Sequence, residues 1–319
     1  HQPDRRLPVA LQYQGRRRKI QAATATSPGL TCFIFRFLRR PLHPDPLQSA
    51  EVSPMSTSPV LSALYRYPVK SMRGQRLDAS PVGPQGLPFD RSWMVADPNG
   101  KFVTGRTYPE LVLVGAEPSI EGVTLSAPGR ANLFVPNSAF EVAIESTVWG
   151  DRFPGWQGSG EADAWLSAFL GSPVRFLWTG AETARRVKVD PAVPLSFADG
   201  YPLLLIGQSS LDDLSARIGK PVSMSRFRPN LVVSGAEPFA EDGWKRIRIG
   251  EVVFRIEKPC ERCVFTTVDP ETGSKSLNQE PLRTLATYRR TPAGVIFGQN
   301  VIAENSGELV PGMSISILE

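Results

Sequence analysis

The chain has 319 residues, 41% hydrophobic and 21% charged, enough apolar content for one large domain or two ordinary ones. Nothing approaches about 18 consecutive apolar residues, so no transmembrane helix is expected. The net charge of +5 resides in residues 1–54, with nine Lys/Arg against three Asp/Glu; the other 265 carry 27 against 28, which removes the electrostatic support for nucleic-acid binding.

Residues 1–54 differ in kind from the rest. They contain QGRRRK (14–19) and FRFLRRPLHPDP (35–46), with no long periodic pattern and no methionine. Met55 reads as the natural start and residues 1–55 as a disordered or non-native extension. An Arg-rich, acid-poor leader also fits an organellar transit peptide. The same stretch holds His1, His43 and Cys32, which leaves the body with Cys260, Cys263 and no histidine. That excludes Ser-His-Asp and Cys-His catalysis in the body. It also excludes a complete four-ligand zinc site of Cys and His within one chain, and a cluster with four Cys ligands. The lack of a disulfide framework fits a reducing compartment, and a cytoplasmic protein is expected.

From residue 60 the pattern is mostly strand. VLSALYRY (60–67) alternates and stops at Pro68. SWMVAD (92–97) and KFVTG (101–105) read as two strands around an Asn-Gly turn. LVLVGAEPS, GVTLSAP and NLFVP follow at close spacing, as in a barrel or sandwich. EADAWLSAFL (161–170) reads as a helix that Gly171 stops. PVRFLW (173–178) resumes as strand, and TGAETARR (179–186) reads as a join.

The second half opens on an apolar run at 203–206 that ends in Gly, a buried strand. SSLDDLSARIGK (209–220) reads as a helix with a Ser cap and Gly219 at its end. RFRPNLVVSG (226–235) is a loop entering a strand. RIRI (246–249) and VVFRIEK (252–258) form a hairpin with Gly250 first in its turn. The fold class expected is mainly β with a few helices, divided into 1–55, 56–180 and 181–319.

KPCERCVFTTVDPETG (258–273) places Cys260 and Cys263 in a loop between strands, since VFTTV reads as strand. A C-x-x-C can be half a zinc site, a redox dithiol or a source of one metal ligand. A redox dithiol of thioredoxin type wants a helix N-terminus, which this stretch lacks. Arg262 and Lys258 give the cysteines positive neighbours, which favour thiolate, and a thiolate binds soft metals. Other residues supply anion-binding groups in turn-rich places: Lys70 and Ser71, Arg91, Arg228 and Asn230. Such charges are usually solvated strand ends. Asp269-Pro270-Glu271-Thr272-Gly273 has the composition of a turn, although Asp269 could serve as a proton donor.

Six stretches in order carry a resemblance: YPVKSMRG (67–74), GLPFDRSWMVAD (86–97), PLSFADGYP (194–202), FRPNLVVSG (227–235), KPCERCVFTTVDPETG and FGQN (297–300). Together they resemble the MOSC family over about residues 60–319. The chain is similar to the bacterial members that detoxify N-hydroxylated bases and to the mitochondrial amidoxime-reducing component. The resemblance implies a β-barrel-like MOSC N-terminal domain followed by a β-rich MOSC domain, holding a molybdenum–molybdopterin cofactor. It implies that Cys263 ligates molybdenum and that Cys260 is a bystander. Lys70, Ser71, Arg91, Arg228 and the Glu261-Arg262 backbone match pterin- and phosphate-contacting positions; Asp199, Gly200, Tyr201 and Asn300 match weaker ones. The implied activity is reduction of small N-hydroxylated substrates at the N–O bond. No cluster cysteines stand before Glu319, so electrons are expected from a separate ferredoxin- or flavin-type donor protein. Two other readings stand beside it: a sulfur carrier with a Cys263 persulfide, and a cofactor-binding module without turnover.

Overall fold

A computed structural model describes residues 58–319; the extension read over residues 1–55 lies outside them. The fold is mainly β. Among the described residues the α-helices are Gly160–Leu170, Gln208–Ile218 and Leu282–Tyr288, and none is long and apolar enough to cross a membrane.

The largest sheet runs Gln75–Leu77, Val60–Arg66, Leu231–Ser234, Leu203–Gly207, Gly294–Ala303, Val252–Arg262, Arg246–Ile249, Ile315–Ile317. Its first two strands come from the first half of the chain and the rest from the second. Leu203–Gly207 and Leu231–Ser234 pair in parallel, with the Gln208–Ile218 helix in the connection between them. Parallel neighbours need such a crossover. The LLLIG strand is buried throughout, as a central strand covered on both faces must be. Its period of two divides the core. Leu203 and Leu205 pack with Leu61, Leu231, Phe254 and Val301. Leu204 and Ile206 pack on the opposite face with Leu211, Leu214, Phe227 and Phe297. Truncating a side chain as buried as Leu205 to alanine costs about 2–5 kcal/mol.

Smaller sheets complete the first half. One runs Trp93–Ala96, Arg175–Trp178, Asp151–Gln157, Val142–Val148; another runs Gly115–Pro118, Gly122–Ser126, Leu133–Pro136. The Gly160–Leu170 helix closes their core, with Leu166 beside Trp93, Leu125 and Phe176. Ser159 caps that helix through the Ala162 N–H, and Gly171, at φ 64°, ends it.

The expected Ser cap on the second helix is corrected. Gly207 occupies the cap position, and the Ser209 hydroxyl donates instead to the Ala236 carbonyl at 2.6 Å. The buried Glu241 carboxylate accepts the Gly207 N–H at 3.0 Å and the Ser210 hydroxyl at 2.8 Å. The strand expected over 101–105 is reduced to isolated bridges. Phe102 pairs Ala96, whereas Lys101 turns to Thr147 in parallel.

Candidate functional site

The Val252–Arg262 strand pairs Gly294–Ala303 through two irregularities. One extra residue lies on the first strand between Ile256 and Lys258. A compensating one lies on the partner opposite Pro259–Glu261, where Gly298 sits at φ 77°. Bulges bend a strand and re-aim its side chains, and here they bracket Lys258-Pro259-Cys260. The sequence reading of a loop is therefore corrected: Cys260 lies in the strand, and Cys263 lies just past its end. VFTT, expected as strand, is a 3-10 turn. The Thr266 and Thr267 hydroxyls bond back to the Cys263 and Val264 carbonyls at 3.0 and 2.7 Å, offering the backbone a local alternative to a ladder.

The two thiols differ. Cys260 is half-buried against the Phe227–Phe297 cluster, and burial pushes its thiol pKa up. Cys263 is exposed and lines an open cleft. That cleft also collects Lys70, Ser71, Arg91, Asp199, Gly200, Tyr201, Arg228, Asn230, Glu261, Arg262 and Asn300, from both halves of the chain.

The positive groups are held by specific bonds. Lys70 is buried; its ammonium donates to the Phe197 carbonyl at 2.8 Å and pairs with Asp199. Burial lowers the Lys70 pKa, and the Asp199 charge offsets only part of that. Asp199 itself is an exposed carboxylate. Desolvation raises its pKa, but Lys70 and the Trp149 indole outweigh it and hold the group ionised. Arg91 donates to the Asn230 side-chain oxygen and to the Arg228 carbonyl, each at 3.0 Å, and pairs with Asp90. Arg228 bonds the Met72 carbonyl and stacks 4.2 Å from the Tyr67 ring centroid. Burial, with Arg91 nearby, lowers the Arg228 pKa to about 10. Asn230 is a brace: its amide donates to the Tyr65 carbonyl at 3.1 Å, and its oxygen accepts the Leu204 N–H at 3.2 Å.

Two expected neighbours of the cysteines are redirected. The Arg262 guanidinium turns to the Phe297 and Phe227 carbonyls at 2.8 and 3.0 Å. Lys258 pairs with Glu261 at 3.0 Å, so its charge is offset. Asn300 reaches only the Lys258 and Pro259 carbonyls, at 3.4 Å each. A Cβ at Gly200 meets nothing within 4 Å, and Tyr201 is half-buried, with burial raising its phenol pKa.

Asp269 does not line the cleft. Its carboxylate accepts the Glu271 and Thr272 N–H groups at 3.0 and 3.2 Å and pairs with Arg226 at 2.6 Å. Desolvation raises its pKa, but these bonds and Arg226 bring it below the ordinary value. The structure thus places Asp269 as a turn-forming carboxylate paired with Arg226 outside the cleft lining. The turn reading describes it.

Backbone strain marks the same place. Ser71, Arg91, Trp149 and Arg228 all stand at positive φ, between 50° and 68°, and all four line the cleft. Such conformations cost about 1–3 kcal/mol each in non-glycine residues and cluster at functional sites. Phe102, Arg106 and Trp149 were not found by sequence reasoning. The one signal, Trp149-Gly150 between two short runs, is weak because only Ser146 and Val148 of the flanking Val142–Val148 strand are buried.

Two buried donors on cleft-lining residues have no partner: one terminal nitrogen each of Arg228 and Arg262. Leaving a buried donor unmade costs about 1–3 kcal/mol, so an anionic ligand that accepts from Arg228 in the cleft fits the arrangement. Among the described residues no three His, Cys, Asp or Glu side chains are grouped to hold a metal by themselves. Cys263 could supply one thiolate, and other ligands would have to arrive with the bound group. A pterin cofactor that carries both metal-binding atoms and a phosphate fits this donor set.

Two family patterns match the chain: the MOSC N-terminal beta barrel domain over residues 58–173 and the MOSC domain over residues 193–316. The chain belongs to the MOSC family. It is 35% identical over 270 residues to mitochondrial amidoxime-reducing component 1 of Danio rerio, covering 79% of this chain and 83% of that one. It is 33% identical over 280 residues to the Homo sapiens protein of the same name, covering 81% and 82%. The molybdenum cofactor sulfurase of Oryza sativa subsp. japonica is 30% identical over 284 residues. There the match covers 81% of this MOSC chain but 34% of the sulfurase.

Proposed function

We propose that this MOSC protein binds a molybdenum–pterin cofactor in the cleft and reduces N-hydroxylated small molecules, with electrons from a separate protein. The observation that carries the reading is the convergence of Lys70, Arg91 and Arg228 on the cleft that exposes Cys263. The similarity to amidoxime-reducing components supports it. In this proposal residues 56–180 and 181–319 are the two domains, and the cleft draws on both.

When bound, the cofactor supplies two-electron chemistry: an N–OH group takes two electrons and two protons and leaves as N–H and water. The protein's part is positional. Cys263 would hold the metal. Lys70, Arg91 and Arg228 would offset the charge of the anionic groups, and the Ser71 hydroxyl would donate to them. The Glu261-Arg262 backbone lines the same wall, with Asp199, Gly200, Tyr201 and Asn300 at its margin. Asn230 orients Arg91. Asp269 fixes Arg226 and is assigned no proton transfer.

An anaerobic assay tests the reading. Cofactor-loaded protein with reduced viologen as electron donor should convert an aromatic amidoxime to the amidine. A loaded protein that leaves the amidoxime intact with that donor contradicts it. The similarity to sulfurases favours a second reading, a Cys263 persulfide carrier. That reading requires labile sulfur on Cys263 in protein without molybdenum, and it gives the anion-binding groups no task.

A further inference from the structure

The turn between Val142–Val148 and Asp151–Gln157 is two residues long, Trp149-Gly150, and both stand at positive φ, 53° and 91°. Asn-Gly is the pair such turns favour, because a bulky side chain is strained in the left-handed region. Tryptophan at the first position calls for a compensating contact. Burial is not that contact, since Trp149 remains 48% exposed. Instead its indole N–H donates to the Asp199 carboxylate at 2.8 Å. The Arg106 guanidinium lies 4.4 Å from the ring centroid, and Phe102 tilts against it at 5.1 Å. All three partners line the cleft that exposes Cys263. The hairpin tip is thereby fixed into the cleft wall.

The lining groups divide by chemistry. Lys70, Arg91 and Arg228 suit an anion. Phe102 and Trp149 offer a π surface with two cations beside it, Arg106 over Trp149 and Lys70 over Phe102 at 5.4 Å. A planar conjugated group gains from stacking on such a surface, whereas a small aliphatic group gains little. We propose that Trp149 is a specificity-determining residue that holds planar, conjugated N-hydroxylated substrates, such as N-hydroxylated bases and aromatic amidoximes, against the Phe102–Arg106 side of the cleft. The proposal rests on the reductase reading for the reacting group; the stacking can be read without turnover.

Two variants test it in cofactor-loaded protein. Trp149→Gly removes the ring but adopts φ 53° without strain, so the turn persists. Trp149→Phe keeps a ring but loses the indole N–H bond to Asp199. Metal content and melting temperature are measured first. Calorimetry then gives the affinity for benzamidine, a planar amidine with no N–O bond. Kinetics give KM for an aromatic amidoxime and for N-methylhydroxylamine.

Trp149→Gly should keep its metal, weaken benzamidine binding and raise the amidoxime KM by about 5–10-fold, with Trp149→Phe within about twofold of wild type. The N-methylhydroxylamine KM should not move. Equal effects on both substrates, or unchanged benzamidine binding, overturn the proposal. Lost metal also overturns it and makes Trp149 a cofactor contact. Trp149-dependent benzamidine binding without reduction of either N-hydroxy compound supports the stacking and overturns the reductase reading alone.

Discussion

The Arg91 guanidinium donates to the main-chain carbonyl of Arg228 at 3.0 Å, and both cations stack on the Tyr67 ring, at 4.5 and 4.2 Å from its centroid. A residue from the first half of the chain thus fixes one from the second. Two like charges are drawn together beside a buried phenol, and both backbones are left-handed. Such an arrangement opposes the stability of the ligand-free protein and prepares it for an anion.

Arg228→Asn should therefore separate stability from binding. Asparagine tolerates positive φ and removes a buried charge. The lost bond to Met72 and the lost stacking on Tyr67 work against that gain. The net change in the ligand-free protein should stay within about 1 kcal/mol. Molybdenum retention should fall more than about tenfold, the size of one lost charged hydrogen bond. Urea denaturation and elemental analysis on the same preparations check both; a large loss of stability with full retention contradicts the assignment.

Glu241 gives a pH test remote from the cleft. Burial raises its pKa, and the bonds from Gly207 and Ser210 counter only part of that rise. A carboxyl whose folded pKa lies above its unfolded value binds its proton more tightly in the folded state. Its contribution to stability is full below the ordinary glutamate range and is lost as pH rises through the raised value. Glu241→Gln should flatten this part of the profile above the ordinary glutamate range, because glutamine can still accept the Gly207 N–H. Identical profiles for variant and wild type contradict the burial argument.

Two glycines should respond to very different degrees. A Cβ at Gly298 would lie 2.6 Å from Ile206 and 2.7 Å from the Leu205 carbonyl, at φ 77°. Gly298→Ala should cost about 2–4 kcal/mol and disturb the bulge beside Cys260. Gly200→Ala meets nothing within 4 Å, and in the ligand-free protein it should cost under about 0.5 kcal/mol. Denaturation midpoints of the two variants separate these outcomes.

Local chemistry was legible in the sequence where it decides the structure. The alternation of residues 60–67, the buried LLLIG run and the Gly171 and Gly219 stops all appear as strand, central strand and helix ends. The Lys70, Arg91 and Arg228 positions could be quoted from motifs, but their convergence depends on pairing Val60–Arg66 with Leu231–Ser234 across 170 residues of chain, as in the Ser62 bond to the Val232 carbonyl. No local pattern encodes that pairing.

What was missed has the same cause. Trp149 matters because a hairpin tip reaches Asp199, 50 residues away. Arg262 reads as a neighbour of the cysteines, yet its guanidinium is captured by carbonyls on two other segments. VFTT has strand composition, and two threonine hydroxyls bend it into a turn instead. The second helix lacks its serine cap because Gly207 takes the cap position and the Ser209 hydroxyl turns to the Ala236 carbonyl, distant in sequence.

The most direct test is the molybdenum content of wild type, Cys263→Ser and Cys260→Ser, each produced in cells that make the cofactor. The exposed Cys263 should be required and the half-buried Cys260 dispensable. Near-stoichiometric metal in wild type and Cys260→Ser, with loss in Cys263→Ser, is the predicted result. Absence of molybdenum from all three, or equal retention in all three, would contradict a cleft built around the Cys263 thiolate.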